Sequence, residues 1–243
     1  MKYLDQIFGR KPEIERIDYT KLFKNIVGHE PIKQVFQKVL ISNEAGNVLL
    51  DGPPACSKTL FLLALKPLKD AFWADNNSSG AGILDAMFDR DVKILLIDEI
   101  DKLKRNDQTA LLNLIETGIL SSVKVKNKEK KGTPAIMKQF KNLKVFCTAN
   151  ELERCNKALL SRFTRFSMHE YTEQEFLDIA QELYPLKDPQ LVEYAARATL
   201  KILKSNDIRD FKGIIKHANN AEDVDLFIST QLKYSPPKEE ENV

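Results

Sequence analysis

The sequence predicts an α/β fold in which a parallel sheet, covered by helices on both faces, precedes a smaller all-α region. Three observations carry this. Between Ile32 and Asn150, short apolar runs alternate with segments of helical spacing, the order expected of strands joined by right-handed helical crossovers. The run Val92–Ile97 is apolar except for Lys93, as a strand buried on both faces must be. From Thr172 onward only helical spacing remains.

The elements follow in order. Residues 1–24 are mixed and highly charged and read as a helix or linker. Ile32, Val35, Phe36, Val39 and Leu40 recur at 3–4 spacing, which makes a helix that Gly46 ends. Asn47–Asp51 reads as a buried strand, Gly52-Pro53-Pro54 as a forced loop, and Leu60–Leu65 as the next helix. Ala71–Ala74 is a second strand, Asn76–Gly82 a small-residue loop and Ile83–Phe88 a helix. After the Val92 strand, Gln108–Glu116 is an amphipathic helix and Val145–Asn150 another strand. Beyond Thr172, four helical patterns begin near Phe176, Leu191, Phe211 and Val224, and the Pro- and Glu-rich end reads as disordered. The division is thus a linker at 1–24, a core at 25–171, a helical domain at 172–233 and a tail at 234–243.

Composition narrows the class. With 243 residues, 43% apolar and 30% charged, the chain has ample material for a packed core. No eighteen consecutive residues are apolar, so no membrane span is expected, and the N-terminus lacks the apolar stretch of a secretory signal. Cys56, Cys147 and Cys155 show no metal-site spacing and cannot all pair, which fits reduced thiols in the cytoplasm. The net charge of +2 says nothing about nucleic acid.

Two motifs carry chemistry. Gly52-Pro53-Pro54-Ala55-Cys56-Ser57-Lys58-Thr59 lies between a strand and a helix, the context of a phosphate-binding Walker A loop. Backbone N–H groups of such a loop and the helix N-terminus face the phosphates, Lys58 reaches the β- and γ-phosphates, and the Thr59 hydroxyl holds Mg²⁺. Ser57 stands where the pattern has glycine; serine is expected to take an ordinary helix-start geometry there. Forty residues after Lys58, the strand ends in Asp98-Glu99. Asp98 can orient Mg²⁺ through its water shell, and Glu99 can polarise a water for attack on the γ-phosphate of ATP.

Gly-Pro-Pro at 52–54 and Ile97-Asp98-Glu99-Ile100-Asp101-Lys102-Leu103 resemble the AAA+ ATPases, and the resemblance spans about residues 22–220. It is nearest to compact archaeal RuvB-like ATPases, with MoxR and MCM relatives further off. The resemblance implies a three-layer P-loop NTPase domain, a small all-α lid and assembly into a ring, expected to be a hexamer. It also implies an adenine-lining segment at Ile26-Val27, nucleotide contacts from Gly52 through Leu60, and a water-holding amide at Asn150. Arg162, with Arg165 as the alternative, matches the finger that reaches a neighbouring subunit's γ-phosphate. Arg209 matches the lid arginine that touches nucleotide in its own subunit; the alternative is a helix-start ion pair with Asp207 or Asp210.

Gly118 to Lys141 holds seven lysines and one glutamate. Ser121 to Lys126 alternates like one arm of a β-hairpin, with Asn127–Gly132 as its tip. A basic arm over Lys124–Lys131 would attract a phosphodiester backbone in a salt-dependent way, although it carries no aromatic residue to stack on bases. Three functions stay open: a DNA-dependent ring ATPase of the helicase or branch-migration type, a MoxR-like remodeller acting on a protein partner or inserting a metal, and a nucleotide switch.

Overall fold

The computed structural model describes residues 21–74, 83, 86–88, 90–122 and 136–234. Four expectations fall largely or wholly outside them: the linker before Lys21, the loop Asn76–Gly82, the hairpin tip with Lys124–Lys131, and the tail after Tyr234.

The core elements are α1 (Glu30–Ile41), β1 (Gly46–Asp51), α2 (Lys58–Leu65), β2 (Ala71–Ala74), β3 (Ile94–Ile97), α3 (Arg105–Thr117), β4 (Ile119–Ser122), β5 (Ile136–Gln139), β6 (Lys144–Ala149), α4 (Lys157–Leu160) and β7 (Thr164–Ser167). Five strands form one parallel sheet in the order β2-β3-β6-β1-β7. Successive residues of a strand point to opposite faces, and here both faces are covered. Leu49, Leu95, Ile97, Val145 and Cys147 pack with Leu111 and Leu114 of α3. Val48, Leu50, Ile94, Leu96 and Phe146 pack with Phe36 of α1 and with Phe61, Leu62 and Leu65 of α2. This is the three-layer α/β arrangement, and it explains the unbroken apolar runs.

Several element bounds differ from expectation, and one strand is new. The first helix stops at Ile41, and Gly46 opens β1 instead of ending that helix. A Cβ at Gly46 would lie 2.7 Å from Val39 Cγ1. The third strand begins at Ile94 because Val92 bonds back to the Arg90 carbonyl and Lys93 turns outward to Asp70 at 2.9 Å. Strand β7 was not foreseen. Three of its four residues are exposed at the sheet edge, so it carries no apolar run to announce it.

β4 and β5 pair antiparallel, so the described base of the basic segment is a hairpin. Lys138 of β5 fastens it to the core by donating to the carbonyls of Met87, Phe88 and Arg90.

The C-terminal region is helical throughout: α5 (Glu173–Leu183), α6 (Pro189–Lys201), α7 (Ile208–Ile215) and α8 (Ala221–Tyr234). Each helix start is locally encoded. Thr172 and Glu175 form a reciprocal capping box on α5. Asp188 caps α6 ahead of Pro189, and Asp207 caps α7; such caps contribute about 1 kcal/mol each. The four helices bury Phe176, Val192, Ala195, Phe211, Ile215 and Val224 in a core of their own. Among the described residues no helix is long and apolar enough to cross a membrane.

Candidate functional site

The loop after β1 begins at Gly52, where φ is 142° and a Cβ would stand 2.2 Å from the Met168 carbonyl oxygen, so only glycine fits. The chain then turns left-handed at Ala55 (φ 67°) and again at Ser57 (φ 64°) before entering α2. Ser57 therefore does not take the expected ordinary helix-start geometry. The loop doubles back onto the helix N-terminus, and this position needs the left-handed region that glycine enters freely and serine enters at roughly 1–2 kcal/mol. The Ser57 hydroxyl is hydrogen-bonded to the Tyr171 hydroxyl. Lys58 is buried, its ammonium donating to the carbonyls of Gly52 at 2.7 Å and Pro53 at 2.5 Å. The Cys56 thiol donates to the Pro53 carbonyl at 2.9 Å.

The acids at the end of β3 meet this loop. Thr59 Oγ1 lies 3.0 and 3.2 Å from the two Asp98 carboxylate oxygens. Thr148 of β6 donates to Asp98 Oδ1 at 2.6 Å and accepts the Glu99 backbone N–H at 2.8 Å. Glu99 sits at φ 55°, a strained setting for a non-glycine residue. Its carboxylate accepts from the Asn150 amide at 3.0 Å and pairs with Lys102 at 2.7 Å. That hydrogen bond to Glu99 raises the Lys102 ammonium above its ordinary pKa. Asp101 accepts the backbone N–H groups of Asn150 and Glu151, both at 3.3 Å, and so fixes the end of β6.

Thr59 and Asp98 fit Mg²⁺. They are hard oxygen donors converging beside the lysine, and Mg²⁺ characteristically takes one or two carboxylates and completes its shell with phosphate and water. Among the described residues no cluster of three or more His, Cys, Asp or Glu could hold a metal by itself, so a cation here needs oxygens from a phosphate ligand or water.

These groups open into a cavity of about 390 Å³ between the sheet domain and the helical region. Of the residues singled out in the sequence, Val27, Pro54, Ala55, Ser57, Lys58, Thr59, Leu60, Glu99, Asn150 and Arg209 line it. Ile26 does not; it is 4% exposed and belongs to the core with Phe23 and Phe36. Cys56 is likewise buried under the loop, and Gly52 and Pro53 serve it through their carbonyls. Asp98 stands behind Thr59.

Arg209 lines the cavity and is paired with Asp207 at 2.5 Å, the helix-start ion pair of the alternative reading. Burial pushes the Asp207 carboxyl up, but the hydrogen bonds from Arg209 outweigh it and hold the carboxyl below its ordinary value. Arg162 lies outside the cavity, exposed and paired with Glu116 of α3 at 2.5 Å, and Arg165 is exposed on β7. The three cysteines are free and buried, with burial pushing the Cys155 thiol up to about 11.

Sequence reasoning missed Thr148 and Tyr171, and it quoted Asp101 within a motif without foreseeing its bonds to the end of β6. Thr148 was findable only through strand register: Ile97 pairs with Cys147, which puts the next residues, Asp98 and Thr148, side by side. Tyr171 gave no signal, since its partner is 114 residues away.

The profile of the AAA family, ATPase family associated with various cellular activities, matches residues 48–173, from β1 to the start of α5 and just over half of the chain. The chain belongs to that family of ATPases. It is 24% identical to a protein described as replication factor C subunit 3 from Blastobotrys adeninivorans, across 92% of this chain and 64% of that protein. It therefore spans a little under two thirds of that relative's length. Among solved structures it is similar to two variants of Thermotoga maritima RuvB. One has a TM-score of 0.60 at 18% identity, covering 85% of this chain and 71% of that one. The other has 0.58 at 17%, covering 84% and 70%. At these identities the likeness is one of fold.

Proposed function

We propose that the protein is a RuvB-like motor that hydrolyses ATP with Mg²⁺ and, as a ring of identical copies, acts on DNA in the cytoplasm. The observation that carries the catalytic half is the unbroken hydrogen-bonded chain Thr59–Asp98–Thr148 and Glu99–Asn150 beside Lys58.

Lys58 neutralises the β- and γ-phosphates, leaving its loop carbonyls to do so. Thr59, and Asp98 through the ion's water shell, would hold Mg²⁺, which when bound would supply charge stabilisation on the phosphates. Glu99 accepts a proton from the attacking water, and the Asn150 amide keeps the carboxylate aimed. Val27 and Ile208 offer apolar surface to the base, and Arg209 offers charge to the phosphates from the lid. Arg162 is exposed outside its own cavity, which suits a finger presented to a neighbouring copy.

The DNA half rests on the lysine-rich segment Gly118–Lys141 and on a relative named for replication. Steady-state ATPase measured with duplex, branched and single-stranded DNA tests it. DNA should raise turnover, salt should weaken the effect, and replacing Lys124, Lys126, Lys128, Lys130 and Lys131 should remove it. An ATPase indifferent to every DNA would keep the enzyme and reject its substrate.

A further inference from the structure

The hydrogen bond between Ser57 and Tyr171 joins the last residue of the phosphate loop to the residue before the α5 cap. Tyr171 is 7% exposed, and its ring packs 5.5 Å from that of His29, which lies 6.2 Å from Phe61 of α2. The ring is thus held by neighbours on the core, so its hydroxyl meets Ser57 from a fixed position. Ser57 needs such a partner. Its φ of 64° is disfavoured for a residue with a Cβ by roughly five- to thirtyfold in population. The loop's other side-chain bonds, from Cys56 and Lys58, end on the Gly52 and Pro53 carbonyls and, at 3.4 Å, on Cys56 Sγ, and the Ser57 carbonyl accepts the Leu60 N–H at 3.0 Å; the bond to Tyr171 is the one made by the Ser57 side chain itself.

We propose that Tyr171 is a positioning residue for the phosphate loop: its hydroxyl holds Ser57 in the left-handed turn that nucleotide binding requires. Glycine at this position would adopt the turn without help, so the serine and the tyrosine act as a pair. The proposal rests on reading Gly52–Thr59 as the nucleotide loop. It also ties that loop to the entry of the helical region, since Thr172 follows directly and caps α5.

The test is a cycle of Tyr171→Phe in two backgrounds, wild type and Ser57→Gly, because phenylalanine keeps the packed ring and removes only the hydroxyl. Two readouts are taken: calorimetric binding of Mg-ADP, and backbone amide exchange over residues 55–58 in nucleotide-free protein. In the wild-type background Tyr171→Phe should weaken Mg-ADP binding about three- to tenfold, the worth of one hydrogen bond, and speed exchange in the loop. It should raise the KM for ATP by a similar factor, with kcat changing less. In the Ser57→Gly background it should change none of these. Equal weakening in both backgrounds would overturn the proposal, since Tyr171 would then act without Ser57; so would no weakening in the wild type. A wild-type protein that takes up no nucleotide would reject the ATPase reading instead. The exchange data would still judge the pair: faster exchange only with Ser57 present supports it, and unchanged exchange overturns it.

Discussion

The Asn150 side-chain amide donates to Glu99 Oε1 at 3.0 Å, so the end of β6 aims the acid that ends β3. Asp101 in turn fixes the Asn150 backbone. Asn150→Ala should therefore lower kcat by about ten- to a hundredfold, a share of what a well-placed general base contributes, while Mg-ATP binding changes little. A variant whose kcat matches the wild type would remove Asn150 from the catalytic step.

Thr148 is buried with its hydroxyl between Asp98 and the Glu99 N–H. Thr148→Val keeps the shape and strands both partners. Denaturant unfolding should show a loss of about 1–3 kcal/mol, and ATPase should fall as Asp98 and Glu99 lose their spacing. Thr148→Ser should recover most of both, which a packing defect alone would not allow.

His29 offers a pH test. Its Nε2 is buried with no hydrogen-bond partner among the described residues. Burial pushes the imidazole below its ordinary value; the Glu175 carboxylate opposes this and Lys33 adds to it, with Tyr171 and Phe61 as the ring's other neighbours. In the window below the unfolded value of about 6.5 the unfolded chain binds the extra proton, so stability is lost as pH falls and is regained as it rises. Urea unfolding at pH 5.5 and 7.5 should show the wild type less stable at the lower pH. His29→Asn, which tolerates the φ of 58° found there, should reduce that difference. A difference of the same size in both proteins would assign it to other groups.

Arg162 is an exposed ion-pair partner of Glu116, so Arg162→Ala should cost no more than about 1 kcal/mol of stability. As a finger acting on a neighbour, it should nonetheless lower ATPase about a hundredfold. Mixing it with a Glu99→Gln protein should restore turnover, because some interfaces then combine an intact acid with an intact arginine. A mixture no more active than its parts would confine each site to one chain.

Much of this architecture is written locally. Val48–Leu50 and Ile94–Ile97 are apolar because both faces of the sheet are covered, and Thr172, Asp188 and Asp207 mark helix starts by their own caps. The loop Gly52–Thr59 and the acid pair Asp98-Glu99, which the structure brings together, were legible because backbone and charge requirements restrict residue type at fixed spacing. What escaped depends on distant neighbours. β7 has too little buried surface to leave a pattern. Ile26 and Val27 are adjacent, yet only the turn at Gly28 and the packing of Phe23 decide which one faces the cavity. The left-handed Ser57 is set by a loop that closes on Met168 and Tyr171, both over a hundred residues away.

The most direct test compares ATP hydrolysis and Mg-ATP binding in the wild type and Glu99→Gln. The account predicts that the wild type hydrolyses ATP only with Mg²⁺, and that the variant binds Mg-ATP as tightly while turning it over at least about a hundredfold more slowly. Equal turnover in the two proteins, or a wild type that binds no adenine nucleotide in the presence of Mg²⁺, would contradict it.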